Sequence, residues 1–255
     1  MHLVVPLSLM RIMAIDGSPN GEKGNTAMLL GRFLAGATEA GADVERVSAY
    51  KLQMKPCCAR APCWHKTPGV CIYNDDVSAL MDRMAHADVW VLSSPVHVGG
   101  MTHGLSRVME RSIMLLSPHY EVGDDGRTRH VTSPHATDRM MVLISTCGLY
   151  EEEALAPLVA QVEDLSRSHG MRFAGALLRP HGLALRFMKE NGLDVEDVLQ
   201  AAHDAGMELV RTGSMSEETL QKVRRPLISR DDFIAMMNNA FDRRRGCKGG
   251  SQGLC

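Results

Sequence analysis

Aromatic side chains are scarce in this chain: Phe, Trp and Tyr make up 4 % of its 255 residues. A surface that stacks the bases of single-stranded nucleic acid needs several such rings side by side, and they are not supplied here. A basic excess is missing too. Lys and Arg number 28 against 30 Asp and Glu, a formal charge of −2, so nucleic acid is not an expected partner. No run of about 18 apolar residues occurs, which excludes a helical membrane span. The N-terminal stretch Met1-His2-Leu3-Val4-Val5-Pro6-Leu7-Ser8-Leu9 has no basic start and no small-residue cleavage site. It makes a poor secretory signal, and a cytoplasmic location is expected. Two familiar phosphate-loop signatures are also lacking. No Gly-Lys-Ser/Thr closes a Walker-type loop, and the glycines at 17, 21 and 24 have the wrong spacing for G-x-G-x-x-G.

What is present in that place is Gly17-Ser18-Pro19-Asn20-Gly21-Glu22-Lys23-Gly24-Asn25-Thr26, between the apolar run Arg11–Ile15 and a segment of helical periodicity. A buried strand, a turn rich in Gly, Ser and Asn, and a helix start make an anion site. The first helical N–H groups lack intrahelical partners and carry partial positive charge, and small polar side chains add donors. A phosphate cradle of this other kind, opening an α/β chain, points to flavin mononucleotide (FMN). The plain alternative is an ordinary strand–turn–helix corner.

Continuous apolar runs at 11–15, 43–47, 87–93, 139–145 and 172–178 read as strands buried on both faces. Helical periodicity falls at 25–40, 75–86, 102–116, 152–169 and 195–211, with Asn74-Asp75-Asp76 resembling a helix N-cap. Alternating strands and helices predict a parallel, doubly wound sheet. Ligands bind beyond the carboxyl ends of the strands in such sheets, which singles out the loops 17–26, 94–104 and 146–150. Residues 117–138 form a long polar loop, with room for a small hairpin. Beyond 213 come one or two amphipathic helices to residue 245, broken at Pro226, and a tail at 246–255 expected to be disordered. Phe233, Ile234, Met237 and Phe241 of those helices need a surface to cover, and a subunit contact is expected there.

Seven cysteines include four within fifteen residues, Cys57, Cys58, Cys63 and Cys71. In a reducing compartment such a cluster suggests metal or redox use. Three readings stay open: an iron–sulfur cluster, a set of free thiols, and a zinc site. Cys147 and the histidines do not form a nucleophilic triad by spacing. His119, His130 and His135 read as scattered surface histidines, and Trp64 as a packing anchor.

Four pieces in this order resemble the flavodoxin-like NAD(P)H-dependent FMN reductases, in particular their iron–sulfur flavoprotein branch. They are Gly17-Ser18-Pro19-Asn20 with Gly24-Asn25-Thr26; the cysteine loop from Lys55 through Cys71 to Asp76; Ser94-Pro95-Val96-His97-Val98-Gly99-Gly100; and Thr146-Cys147-Gly148. The resemblance covers about residues 10–212. It implies a five-stranded sheet of order 2-1-3-4-5 with a C-terminal helical extension, and an oxidoreductase acting on flavin, quinone or another small acceptor. The FMN phosphate would sit on Ser18, Asn20, Gly24, Asn25 and Thr26. The ring would lie against Pro95, Val96, His97, Val98 and Gly99, with Thr146, Cys147 and Gly148 closing one side. His97 stands where relatives commonly carry an aromatic residue, and it is the one side chain suggested as a proton donor. NAD(P)H or a small electron-carrier protein would be the partner, in a homodimer or homotetramer. The branch uses a pattern close to C-x2-C-x2-C plus a fourth cysteine, but Arg60 occupies the second position here. Cys57, Cys58, Cys63 and Cys71 are then the candidate ligands of a [4Fe–4S] cluster, which takes four thiolates. Electron transfer between protein carriers, or a thiol-based redox-responsive binding module, are the alternative functions.

Overall fold

A computed structural model of the chain describes residues 9–123, 125–132 and 136–246. His135, the first eight residues and the tail beyond 246 lie outside them. Seven strands occur among the described residues: β1 (Arg11–Asp16), β2 (Asp43–Ser48), β3 (Val89–Pro95), β4 (Tyr120–Val122), β5 (Thr128–His130), β6 (Met140–Thr146) and β7 (Arg172–Arg179). Five of them build one sheet in the order β2-β1-β3-β6-β7, and β4 and β5 form a separate hairpin. Every pair in the large sheet is parallel. Counting only its own strands, the sheet has the expected order 2-1-3-4-5.

Period-two alternation divides the core. Ile12, Ala14, Val89, Val91, Val142 and Ile144 face one side, against α1 (Asn25–Glu39) and α7 (Glu196–Thr212). Met13, Ile15, Trp90, Leu92, Met141 and Leu143 face the other, against α3 (Asp76–Ala85), α4 (His103–Arg111) and α5 (Ala156–Ser168). Both faces are dry, as a crossover-linked parallel sheet requires.

Several local expectations need correction. The cysteine loop is not wholly irregular, because α2 (Pro62–His65) forms one turn inside it, with Pro62 in the first turn, where its missing N–H costs nothing. Asp75 precedes α3 but its carboxylate makes no cap bond; Arg111 and the Lys55 N–H claim it instead. The helix read over 102–116 ends at Arg111 and continues as a 3-10 turn, Ser112–Leu115. The helix α6 (Gly182–Glu190) was unforeseen. Gly182 and His181 mask its start, since its first turn has neither a capping side chain nor an acid.

The C-terminal part folds as α8 (Glu217–Arg224) and α9 (Arg230–Gly246), broken at Pro226 as the sequence suggests. Leu220 and Val223 of α8 join the core beside α7. Phe233 is 6 % exposed and packs on Tyr150 and His181, so its cover comes from the same chain, whereas Ile234 and Phe241 stay about half exposed. No helix among the described residues is long and apolar enough to cross a membrane.

Candidate functional site

The site is assembled where β1, β3 and β6 end. Gly17 follows β1 at a point where a side chain has no room. A Cβ there would lie 2.7 Å from Leu105 Cβ and 3.0 Å from both Ser93 O and Thr102 Oγ1. The Gly17 N–H donates to Ser93 O at 2.7 Å, and the Thr102 hydroxyl donates to Gly17 O at 2.6 Å. This close approach turns the loop over the sheet edge. Asp16, the last residue of β1, is buried; its carboxylate accepts the Ser18 N–H at 3.0 Å and pairs with Arg46 at 2.6 Å. Neither Asp16 nor Arg46 was foreseen, although an acid ending an apolar strand was a visible signal.

The chain then makes a 3-10 turn, Gly21–Lys23, and enters α1 at Gly24, which offers no capping side chain. A Cβ on Gly24 would meet Ser18 Oγ at 2.3 Å. The α1 N-terminus is therefore open for an anion, while Ser18 and Thr26 are buried beside it and Asn20 is exposed. Thr26 Oγ1 lies 2.7 Å from Thr146 Oγ1, which joins the first loop to the end of β6 across 120 residues. Arg186 of the unforeseen α6 reaches the same loop, donating to Asn25 Oδ1 at 2.7 Å and to the Lys23 carbonyl.

After β3, His97 and Gly100 exchange backbone hydrogen bonds of 2.9 and 3.0 Å, closing a two-residue turn. Its central residues, Val98 and Gly99, have φ of +51° and +74°. A β-branched residue in the left-handed region is strained by about 1–3 kcal/mol. Val98 is fully exposed and buries nothing in return. Val98→Gly is therefore expected to stabilise the FMN-free protein by about 1 kcal/mol, read as a higher urea midpoint. His97 is exposed beside it, and Pro95 and Val96 are half-buried. The Val96 N–H donates to Thr146 O at 2.9 Å, bringing the second and third loops into register. Cys147 is buried next to Thr146, whereas Gly148 is exposed; burial pushes the Cys147 thiol up, so it rests as a neutral thiol.

β7 ends at a second polar cluster. Arg179 is fully buried with no carboxylate on it among the described residues; it donates to Pro180 O at 2.9 Å, Val223 O at 2.8 Å and His181 Nε2 at 2.7 Å. Burial, and then the charge of Arg225, lower its pKa to about 10. His181 Nε2 also accepts the Leu227 N–H at 3.2 Å, so the ring proton sits on Nδ1. The imidazole stacks on Tyr150, at 4.8 Å between ring centres. Burial, and then Arg179, lower its pKa to about 4.

The cysteine loop lies on the α3–α4 side of the sheet. Cys57, Cys58, Cys63 and Cys71 are free, and all four line one cavity of about 360 Å³ together with Trp64, Tyr73 and Arg111. Ala59 and Ala61 bend the loop through φ of +53° and +47°. Burial raises the Cys63 thiol, and the neighbouring Cys71, Cys57 and Cys58 raise it further. Among the described residues no three His, Cys, Asp or Glu side chains are grouped to hold a single ion. A zinc ion needs four ligands at about 2.0–2.3 Å from one centre, and no such grouping is present among the described residues. Trp64 anchors α2, its N–H shared by the carbonyls of Ile113 and Leu116 at 3.0 and 2.9 Å, and His130 lies between it and Tyr120.

A family model described as NADPH-dependent FMN reductase matches residues 10–148. An iron-sulfur flavoprotein of Methanocaldococcus jannaschii is 36% identical over 103 residues, 40% of this chain and 52% of that protein. One from Methanosarcina thermophila is 30% identical over 106 residues, 42% of this chain and 54% of that protein. The chain thus spans about half the length of the curated relatives it matches. Among solved structures, an azoreductase from Bacillus anthracis superposes with a TM-score of 0.57 at 14% identity, covering 79% of this chain and 99% of that one. That likeness bears on the fold alone.

Proposed function

The chain belongs to the NADPH-dependent FMN reductase family, and from that premise we propose an FMN-dependent oxidoreductase working at the carboxyl edge of the sheet. The observation that carries this reading is the Thr26–Thr146 contact of 2.7 Å. It brings the uncapped start of α1 to the point where the loops after β3 and β6 also end. The residues fit the cofactor. A Cβ at Gly24 would fill the cradle, and Ser93 Oγ nearby is buried without a hydrogen-bond partner. Ser18, Asn20, Gly24, Asn25 and Thr26 would hold the phosphate through helix N–H groups and short polar side chains. Pro95, Val96, His97, Val98 and Gly99 would flank the ring, with Thr146, Cys147 and Gly148 on its other border.

When bound, FMN supplies the hydride and electron chemistry; the protein binds, orients and tunes it. Asp16 is committed to Ser18 and Arg46 and therefore serves the loop's shape, not proton transfer. His97 is exposed at the turn and outside that network, and would be the proton donor. NAD(P)H or a small electron-carrier protein is the proposed electron source. The free thiols suit the cytoplasm, and the exposed Ile234 and Phe241 suit a homodimer or homotetramer.

An absorption spectrum of protein purified without oxygen tests the reading. A flavin band released as FMN on denaturation is expected, and protein that binds no FMN on titration would overturn it. Thr26→Val should weaken FMN binding about tenfold, followed by quenching of flavin fluorescence, because a hydrogen bond to a charged group is lost.

A second reading has its own observation. Four cysteines lining one cavity with a buried arginine support a [4Fe–4S] cluster held by Cys57, Cys58, Cys63 and Cys71, and with it a role in electron transfer. Iron and sulfide at about four each per chain are expected after anaerobic reconstitution. Flavin with no iron would leave the four residues as thiols.

A further inference from the structure

Arg111 is a charged residue in an apolar position. It ends the buried face of α4 that carries Leu105, Val108 and Met109, and only 2 % of it is exposed. Its two terminal nitrogens grip Asp75 in a fork, at 2.9 and 3.0 Å, and one of them also donates to Lys55 O at 3.0 Å. Those two partners bracket the four cysteines, one on each side. The guanidinium therefore ties the loop shut at its neck. Of its two remaining donors, Nε is buried and has no hydrogen-bond partner among the described residues. The same guanidinium lines the cavity with the four sulfurs, among which Cys71 interacts with it most directly.

We propose that Arg111 is a positioning residue for the cysteine pocket, holding both ends of the loop and offering its Nε–H to the anionic group that the sulfurs enclose. The inference rests on the cluster reading above. The residue type follows from the geometry. A planar fork can engage a carboxylate with two nitrogens and keep a third donor aimed elsewhere, whereas an ammonium on a flexible stem cannot hold both directions. Hydrogen bonds and net charge near the sulfurs set how easily a cluster accepts an electron. Loss of the donor therefore makes reduction harder.

The test compares wild type, Arg111→Gln and Arg111→Lys, each reconstituted anaerobically with iron and sulfide. Iron and sulfide are counted, and the reduction potential is read by spectroelectrochemical titration. Circular dichroism checks folding. Arg111→Gln is expected to be at least tenfold harder to reduce, a shift of about 59 mV or more to negative potential for one electron. Arg111→Lys, which keeps the charge but not the fork, should shift in the same direction by less; it is the variant to read if the glutamine protein does not fold. A loaded, folded variant with the wild-type potential overturns the inference alone. Wild type that takes up no iron overturns the cluster reading and this inference with it.

Discussion

Gly206→Ala is expected to cost about 3 kcal/mol or more of stability. The reason is the α1–α7 crossing. A Cβ at Gly206 would lie 2.0 Å from Phe33 O and 2.9 Å from Ala37 N, both backbone atoms. Across the same contact, a Cβ at Gly36 would lie 1.9 Å from His203 O. Side chains can rotate away from a new methyl group, but helix backbones cannot. The two helices must separate, and close-packed interiors resist that. Gly36→Ala should cost a similar amount. The double variant should cost less than the sum, because one separation relieves both clashes. Urea unfolding of the three variants measures this, and single losses below about 1 kcal/mol would show that the crossing yields easily. A second readout follows from the position of α1. Its N-terminus carries Asn25 and Thr26, so a displaced α1 should also weaken FMN binding.

Acid is expected to remove about 2 kcal/mol of stability through His181 alone. Its pKa falls from the ordinary 6.5 to about 4 in the folded chain, by burial and then by the charge of Arg179. A base with a depressed folded pKa stabilises the fold while it is neutral. The contribution is complete above about pH 6.5 and is lost as the pH falls toward 4. The full difference corresponds to about 3 kcal/mol, of which about 2 is lost by about pH 5. The loss has a local meaning. Protonated Nε2 could no longer accept from Arg179 and the Leu227 N–H, and those bonds hold the segment between α8 and α9 against the sheet edge. Unfolding free energies between pH 7 and 4 should fall more steeply for wild type than for His181→Gln. Parallel curves would remove His181 from the account. Limited proteolysis should find the α8–α9 connection cut first at low pH.

Much of the sheet could be read directly from the chain, because strands buried on both faces are uninterrupted apolar runs. The runs ending at Ile15, Ser93, Ser145 and Leu178 became strands ending one or two residues later, at Asp16, Pro95, Thr146 and Arg179. Each extension added residues that work at the sheet edge, where polarity hides a strand from a hydrophobicity pattern. Helix α6 was hidden for a related reason: its start carries none of the usual capping signs, and Arg186 was overlooked with it. Arg111 was not singled out, and Asp75 stands at the start of α3 as expected but its carboxylate is turned to the arginine. Asp75 resembled a helix cap, and nothing nearby in sequence reveals a guanidinium 36 residues away.

The sequence by itself determined the alternation of strand and helix, the parallel sheet, and the cradle between β1 and α1. Those features depend on local periodicity, on glycine, and on which backbone groups a helix start leaves unpaired. Only the tertiary structure decided which distant groups meet. It set Thr26 on Thr146, closed the cysteine loop with Arg111, brought the four cysteines to one cavity, and covered Phe233 with the chain's own Tyr150 and His181. Such contacts join residues far apart in sequence through a single side chain or ring, and no periodic pattern records them.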